Sequence, residues 1–81
     1  MKFSKHAIER IDSRGIQRKL VMKVIQTPDT VIDESKCIRI YQKTDIQNGN
    51  KYLIRVFVNI CKEPELIITA YKTSKIDKYE H

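Results

Sequence analysis

The sequence predicts an α+β domain: two short helices packed on one face of a four-stranded antiparallel β-meander. Three observations carry this expectation. Apolar residues recur at helical spacing as far as Ile25, then alternate at strand spacing from Thr30 onward. Gly15 and the Pro28-Asp29 pair mark where the two helical stretches stop, since glycine accepts a left-handed backbone and proline disfavours helix in the residue before it. Asn48-Gly49 and Lys62-Glu63-Pro64-Glu65 then separate alternating runs, as turns between neighbouring strands do.

The first helix is expected over about residues 4–14. Ser4 can accept from the free N–H groups of the first turn, and Gly15 ends the helix. Phe3, Ala7, Ile8 and Ile11 fall on one side and should pack inward. His6, Arg10 and Arg14 are spaced i, i+4, i+8 and should line the flank. The second helix, about 17–26, buries Leu20, Val21, Val24 and Ile25 and turns Arg18, Lys19 and Lys23 outward.

Strands are expected over about 30–34, 36–45, 51–61 and 66–73. Ile54, Val56, Val58 and Ile60 share one face of the third run, with Leu53, Arg55, Phe57 and Asn59 on the other. In the last run Leu66, Ile68 and Ala70 oppose Ile67, Thr69 and Tyr71. A two-residue Asn48-Gly49 loop would pair Ile38 with Asn59, placing an aliphatic beside a polar residue. A three-residue loop, Asn48-Gly49-Asn50, pairs Ile38 with Ile60 and Ile40 with Val58, and is the register expected. It sets Tyr41 opposite Phe57 and Lys43 opposite Arg55, two facing cations that an anion between them would relieve.

At 81 residues the chain has room for one domain. Sixteen Lys and Arg against ten Asp and Glu leave a net charge of +6, which favours an anionic partner such as nucleic acid. Without a membrane-length apolar run or a signal-peptide core, a cytoplasmic location and no membrane association are expected. Cys37 and Cys61 match no metal or redox spacing and are read as reduced thiols. A Gly-rich phosphate loop, metal-ligand spacing and a nucleophilic triad are all missing, so no metal or cofactor is expected.

In this register the sheet face away from the helices shows Arg39, Tyr41, Lys43, Arg55, Phe57, Asn59, Thr69 and Tyr71. Cations for phosphate and rings for bases are what a single-stranded nucleic acid requires. The same residues would also suit a solvated sheet surface or a dimer interface.

Metal-independent RNA cleavage needs a base for the 2′-OH proton, cations for the phosphorus charge, and an acid for the leaving oxygen. His6 is the candidate base, because the positive end of a helix favours a neutral imidazole; its other reading is a surface or capping histidine. Arg10, Arg14 and Arg55 are candidate phosphate ligands, since a guanidinium fork matches two phosphate oxygens; ion pairs with Glu9 or Asp12 are the alternative. Thr69 could bond a phosphate, Tyr71 could donate a proton or stack a base, and Phe57 could stack. Lys43 would help electrostatically, as would Lys72 and Lys75.

Several short segments in fixed order resemble the bacterial domain-of-unknown-function 4258 family. They are His6-Ala7-x-Glu9-Arg10, Arg14-Gly15-Ile16, Pro28-Asp29, Ile67-Ile68-Thr69-Ala70-Tyr71 and the closing Thr73-Ser74-Lys75 with Tyr79. The family is similar in layout to small RelE-type and barnase/EndoU-like endoribonucleases, in which RNA lies on the sheet. The resemblance implies a metal-independent ribonuclease of the toxin type, with RNA as substrate and a cognate antitoxin protein as partner. Two other readings stand beside it: a non-catalytic module binding nucleic acid or protein, and a homodimer that covers the Tyr41, Phe57 and Tyr71 face.

Overall fold

The computed structural model describes residues 1–79. Two helices and a five-stranded mixed sheet make up an α+β fold. The elements run β1 (Lys2–Phe3), α1 (Lys5–Ser13), α2 (Arg18–Gln26), β2 (Thr30–Asp33), β3 (Ile38–Gln47), β4 (Asn50–Asn59), β5 (Leu66–Thr73) and a 3₁₀ turn (Ile76–Lys78). The sheet order is β1-β5-β4-β3-β2, with β1 parallel to β5 and every other pair antiparallel.

β1 is an addition to the expected meander. Phe3 belongs to it, not to α1, and a two-residue strand leaves no periodic trace in a sequence. Ser4 then does what its position promised. Its Oγ accepts from the Ala7 N–H at 3.0 Å, while its own N–H donates to the Ile67 carbonyl at 2.9 Å. The cap therefore fixes the start of α1 directly against β5. Gly15 takes a φ of 67°, where a side chain would be strained, and turns the chain into α2.

Ala7 and Ile11 of α1, Ile16, and Val21 and Val24 of α2 form the main core with Ile54, Val56 and Val58 of β4 and Ile67 and Ala70 of β5. α1 covers β5, and α2 covers β4 and β3.

The expected hairpin register is wrong. Asn48 and Gly49 have φ of 51° and 79°, so the loop is the tight two-residue turn that Asn-Gly favours. Ile38 pairs with Asn59, Ile40 with Phe57, Gln42 with Arg55 and Lys43 with Ile54. A one-residue slip moves every β3 side chain to the other face. Arg39, Tyr41 and Lys43 therefore sit on the helix side with Val58, Val56 and Ile54. Ile38, Ile40, Gln42 and Thr44 join Arg55 and Phe57 on the far side.

A second correction concerns β5. Val58 pairs with Ile67 but Phe57 pairs with Thr69, so Ile68 is an extra residue that bulges the strand. The bulge lets Ile67 share the core with Ala70 while Thr69 and Tyr71, paired with Phe57 and Arg55, face away from it.

The two cysteines are not free thiols. Cys37 and Cys61 are joined, with Cα atoms 5.1 Å apart. The β3–β4 ladder ends at the Ile38–Asn59 pair, and Ile60 N–H donates to the Cys37 carbonyl at 2.8 Å. Cys61 lies in the turn that follows Asn59, past the end of the ladder, so the bond does not join a regular cross-strand pair.

Candidate functional site

Two groups of side chains meet where β5 bulges. The first is at the strand's edge. β1 and the Ser4 cap bring the first turn of α1 beside Ile68, so Ser4, His6, Arg10, Leu66, Ile68 and Thr69 line one hollow of about 420 Å³. His6 and Arg10 are exposed, and among the described residues their side chains make no hydrogen bond or ion pair. Glu9 does not pair with either; Asp12 instead bridges Arg18 at 3.1 Å. The expected flank of His6 and Arg10 is thus free to meet a ligand.

Arg14 departs from that line. As the C-cap of α1 it reaches β5, where Nη1 donates to the Ala70 carbonyl at 2.9 Å and to Thr69 Oγ1 at 3.2 Å. β5 pairs with β1 only through Leu66 and Ile67, so Ala70 lies on a bare stretch of edge. The guanidinium covers that carbonyl and holds the threonine beside the hollow.

The second group lies on the sheet face away from the helices. Arg55 is its hub. Its Nε donates to Gln42 Oε1 at 2.5 Å, and its Nη1 donates to the Tyr71 hydroxyl. The guanidinium carbon lies 5.4 Å from the Phe57 ring centre, 5.6 Å from Tyr71 and 4.3 Å from Tyr79. Phe57 and Tyr71 stack with centroids 5.8 Å apart.

Burial pushes the Tyr71 phenol above its ordinary range, and a hydrogen bond to Tyr79 pushes it the same way; Arg55 opposes both. The Tyr79 phenol goes down, chiefly because Tyr71 bonds it.

This face is covered more than the sequence suggested. Gln42 is 3% exposed, Ile40 2% and Leu53 3%. Ile76 of the 3₁₀ turn is 8% exposed, and Tyr79 lies over Arg55, so the C-terminal turn folds back onto the face.

The structure thus joins His6, Arg10, Arg14 and Thr69 at the edge, and Arg55, Phe57 and Tyr71 on the face. The Thr69–Phe57 pair links the groups. It removes Lys43, whose Nζ on the helix side donates to the Thr27 carbonyl at 2.7 Å and lies 3.6 Å from Asp29. Lys72 faces the helix side too, paired with Ile54 and bonded to Gln47 at 2.9 Å. Gln42 and Tyr79 were not foreseen as members. Gln42 carries no chemical signal of its own within β3, and Tyr79 enters the sequence reading only through the family resemblance.

A larger hollow, about 630 Å³, runs along α2 between Leu20, Met22, Lys19 and Lys23, but it offers no acid–base pair. Among the described residues no cluster of His, Cys, Asp and Glu could hold a metal ion. None of the described helices is long and apolar enough to cross a membrane.

Residues 3–72 match a family described as Domain of unknown function (DUF4258). No curated protein and no solved structure matches the chain.

Proposed function

The chain belongs to the DUF4258 family, and from its geometry we propose that it is a small metal-independent endoribonuclease. One observation carries this reading: His6 and Arg10, unpaired among the described residues, share a hollow with Thr69, at the margin of a face built from Arg55, Phe57 and Tyr71. An acid–base group, a free guanidinium and stacking rings then lie along one path for a single strand.

In this mechanism His6 takes the proton of the ribose 2′-OH. The freed oxygen attacks phosphorus, and a 2′,3′-cyclic phosphate forms as the bond to the 5′-oxygen breaks. Arg10 binds the phosphate oxygens, with the Thr69 hydroxyl beside it. Tyr71 stands two residues along the same strand face from Thr69, about 7 Å away. Its raised phenol keeps its proton at neutral pH and can pass it to the departing 5′-oxygen. Arg14 and Arg55 serve by positioning, one at Thr69 and the other at Tyr71. An activity of this kind fits a toxin whose partner is an antitoxin protein.

A specific observation supports a second reading. Arg55, Phe57, Tyr71 and Tyr79 already satisfy one another, as in a stacking platform that binds RNA without cutting it. The homodimer reading loses its basis as first framed, because Tyr41 lies on the opposite face from Phe57 and Tyr71.

The test is cleavage of end-labelled mixed-sequence RNA in chelator, on naked RNA and on ribosomes, with wild type, His6→Ala and Arg10→Ala. Loss of a proton-transfer group predicts a fall of about 100-fold or more for His6→Ala, with cyclic-phosphate ends on wild-type products. Equal activity in His6→Ala would remove His6 from the chemistry. RNA binding with no cleavage by wild type would leave the platform reading.

A further inference from the structure

The C-terminal turn carries a group of cations that the reading above does not use. Lys51 at the start of β4 and Ser74, Lys75, Asp77 and Lys78 of the turn line one hollow of about 470 Å³, floored by Ile76. Three ammonium groups and one carboxylate leave it with an excess of two positive charges. Among the described residues none of the three lysines forms an ion pair. Gathering three ammonium groups around one carboxylate is unfavourable, and an anion in the hollow would relieve it.

These cations are not on a loose tail. Ile76 is 8% exposed and Tyr79 sits 4.3 Å from the Arg55 guanidinium, so both ends of the turn are anchored to the sheet. Thr73 Oγ1 accepts from the Lys75 N–H at 3.0 Å, which fixes the turn's entry. The place is also continuous with the aromatic face. Lys51, Leu53, Arg55 and Phe57 alternate along one side of β4, and Phe57 neighbours Thr69 at the edge hollow. Phe57 to Lys51 is six residues, about 20 Å of strand.

We propose that Lys51, Lys75 and Lys78, with the Ser74 hydroxyl, form a phosphate-binding subsite for a single-stranded RNA. The strand crosses Phe57 on its way from the edge hollow and then runs over Tyr79, which lies on Arg55, because Leu53 between Arg55 and Lys51 is buried. This rests on the RNA reading and adds where the strand goes beyond the scissile position. The lysines act as point charges on the backbone and confer no base preference.

Salt dependence tests it. Anisotropy of a labelled, uncleavable 2′-O-methyl oligouridylate is measured across a salt series for wild type and for Lys51→Gln/Lys75→Gln/Lys78→Gln. Losing three phosphate contacts on a single strand should lower the slope of log K against log salt by about 2. Circular dichroism checks that the variant stays folded. Amide shifts of Ser74, Lys75 and Ile76 on addition of inorganic phosphate give a readout independent of RNA.

A reduced slope supports the subsite. RNA binding with an unchanged slope in the folded variant overturns it and leaves the RNA reading standing. If wild type ignores RNA while phosphate saturates these amides and fails to do so in the variant, the anion site stands and its RNA assignment falls. No response to either probe overturns both.

Discussion

Replacing Arg55 by alanine tests whether this residue is a structural hub or a free phosphate ligand. The substitution strands Gln42, whose carbonyl oxygen accepts from Arg55 Nε and whose side chain is in a residue only 3% exposed. Leaving a buried acceptor without its partner costs about 1–3 kcal/mol. Loss of the guanidinium from above Phe57, Tyr71 and Tyr79 adds about 1 kcal/mol, taken at the low, part-exposed end for such contacts. The sum is about 2–4 kcal/mol. With a denaturant slope of about 2 kcal/mol per molar in guanidinium chloride, the midpoint should fall by about 1–2 M. The assay is equilibrium denaturation of wild type, Arg55→Ala, Gln42→Leu and the double variant. In the Gln42→Leu background no acceptor is stranded, so Arg55→Ala should cost only the ring contacts. A coupling of about 1–3 kcal/mol, the cost of the stranded acceptor, is expected. If Arg55→Ala costs the same in both backgrounds, the Gln42 bond contributes nothing and the reasoning fails.

Two further perturbations probe the edge and the tyrosines. Arg14→Ala removes the guanidinium from the Ala70 carbonyl and from Thr69, one bond part-buried and the other exposed, and the loss should be about 1 kcal/mol. Hydrogen exchange at β5 should quicken in that variant while β3 stays protected, and unchanged exchange at β5 would refute the edge-cover role. Tyr71→Phe removes the hydroxyl that lowers the Tyr79 phenol, so ultraviolet titration should show Tyr79 returning up towards its ordinary range. In wild type the two phenols act on stability with opposite sign. The depressed Tyr79 contributes stability that is present above its unfolded value and lost as pH falls through the folded one. The raised Tyr71 contributes stability that is present below its unfolded value and lost as pH rises through the folded one. A Tyr79 titration unaffected by Tyr71→Phe would show that the two rings do not share a hydrogen bond.

What the sequence made legible followed from local chemistry. Ser4 before Ala7-x-x-x-Ile11 could only cap a helix facing inward, and Gly15 at φ 67° could only end it. The His6 and Arg10 flank followed from those ends. The expected hairpin register differs from the observed one because matching aliphatic residues across the strands assumes one buried face. Both faces are buried in part: Ile54, Val56 and Val58 under the helices, and Ile40, Gln42 and Leu53 on the other side, where the C-terminal turn lies. When aliphatic residues belong on both sides, matching them across strands no longer selects the register. The turn chemistry does, and Asn48-Gly49 favoured the two-residue loop. The bulge at Ile68 left no signal at all, since one extra residue changes neither composition nor period enough to be seen.

That bulge is also what assembles the candidate site. Without it Thr69 would share the face of Ile67 and point under α1, and the hollow beside His6 and Arg10 would lose its hydroxyl and its link to Phe57. The core needs Ile67 inward and the site needs Thr69 outward, two residues apart on one strand, and a regular strand cannot supply both. The extra residue satisfies packing and chemistry together. It follows that the irregularity belongs to the site as much as to the sheet, and that restoring a regular β5 would repair the ladder while dismantling the hollow.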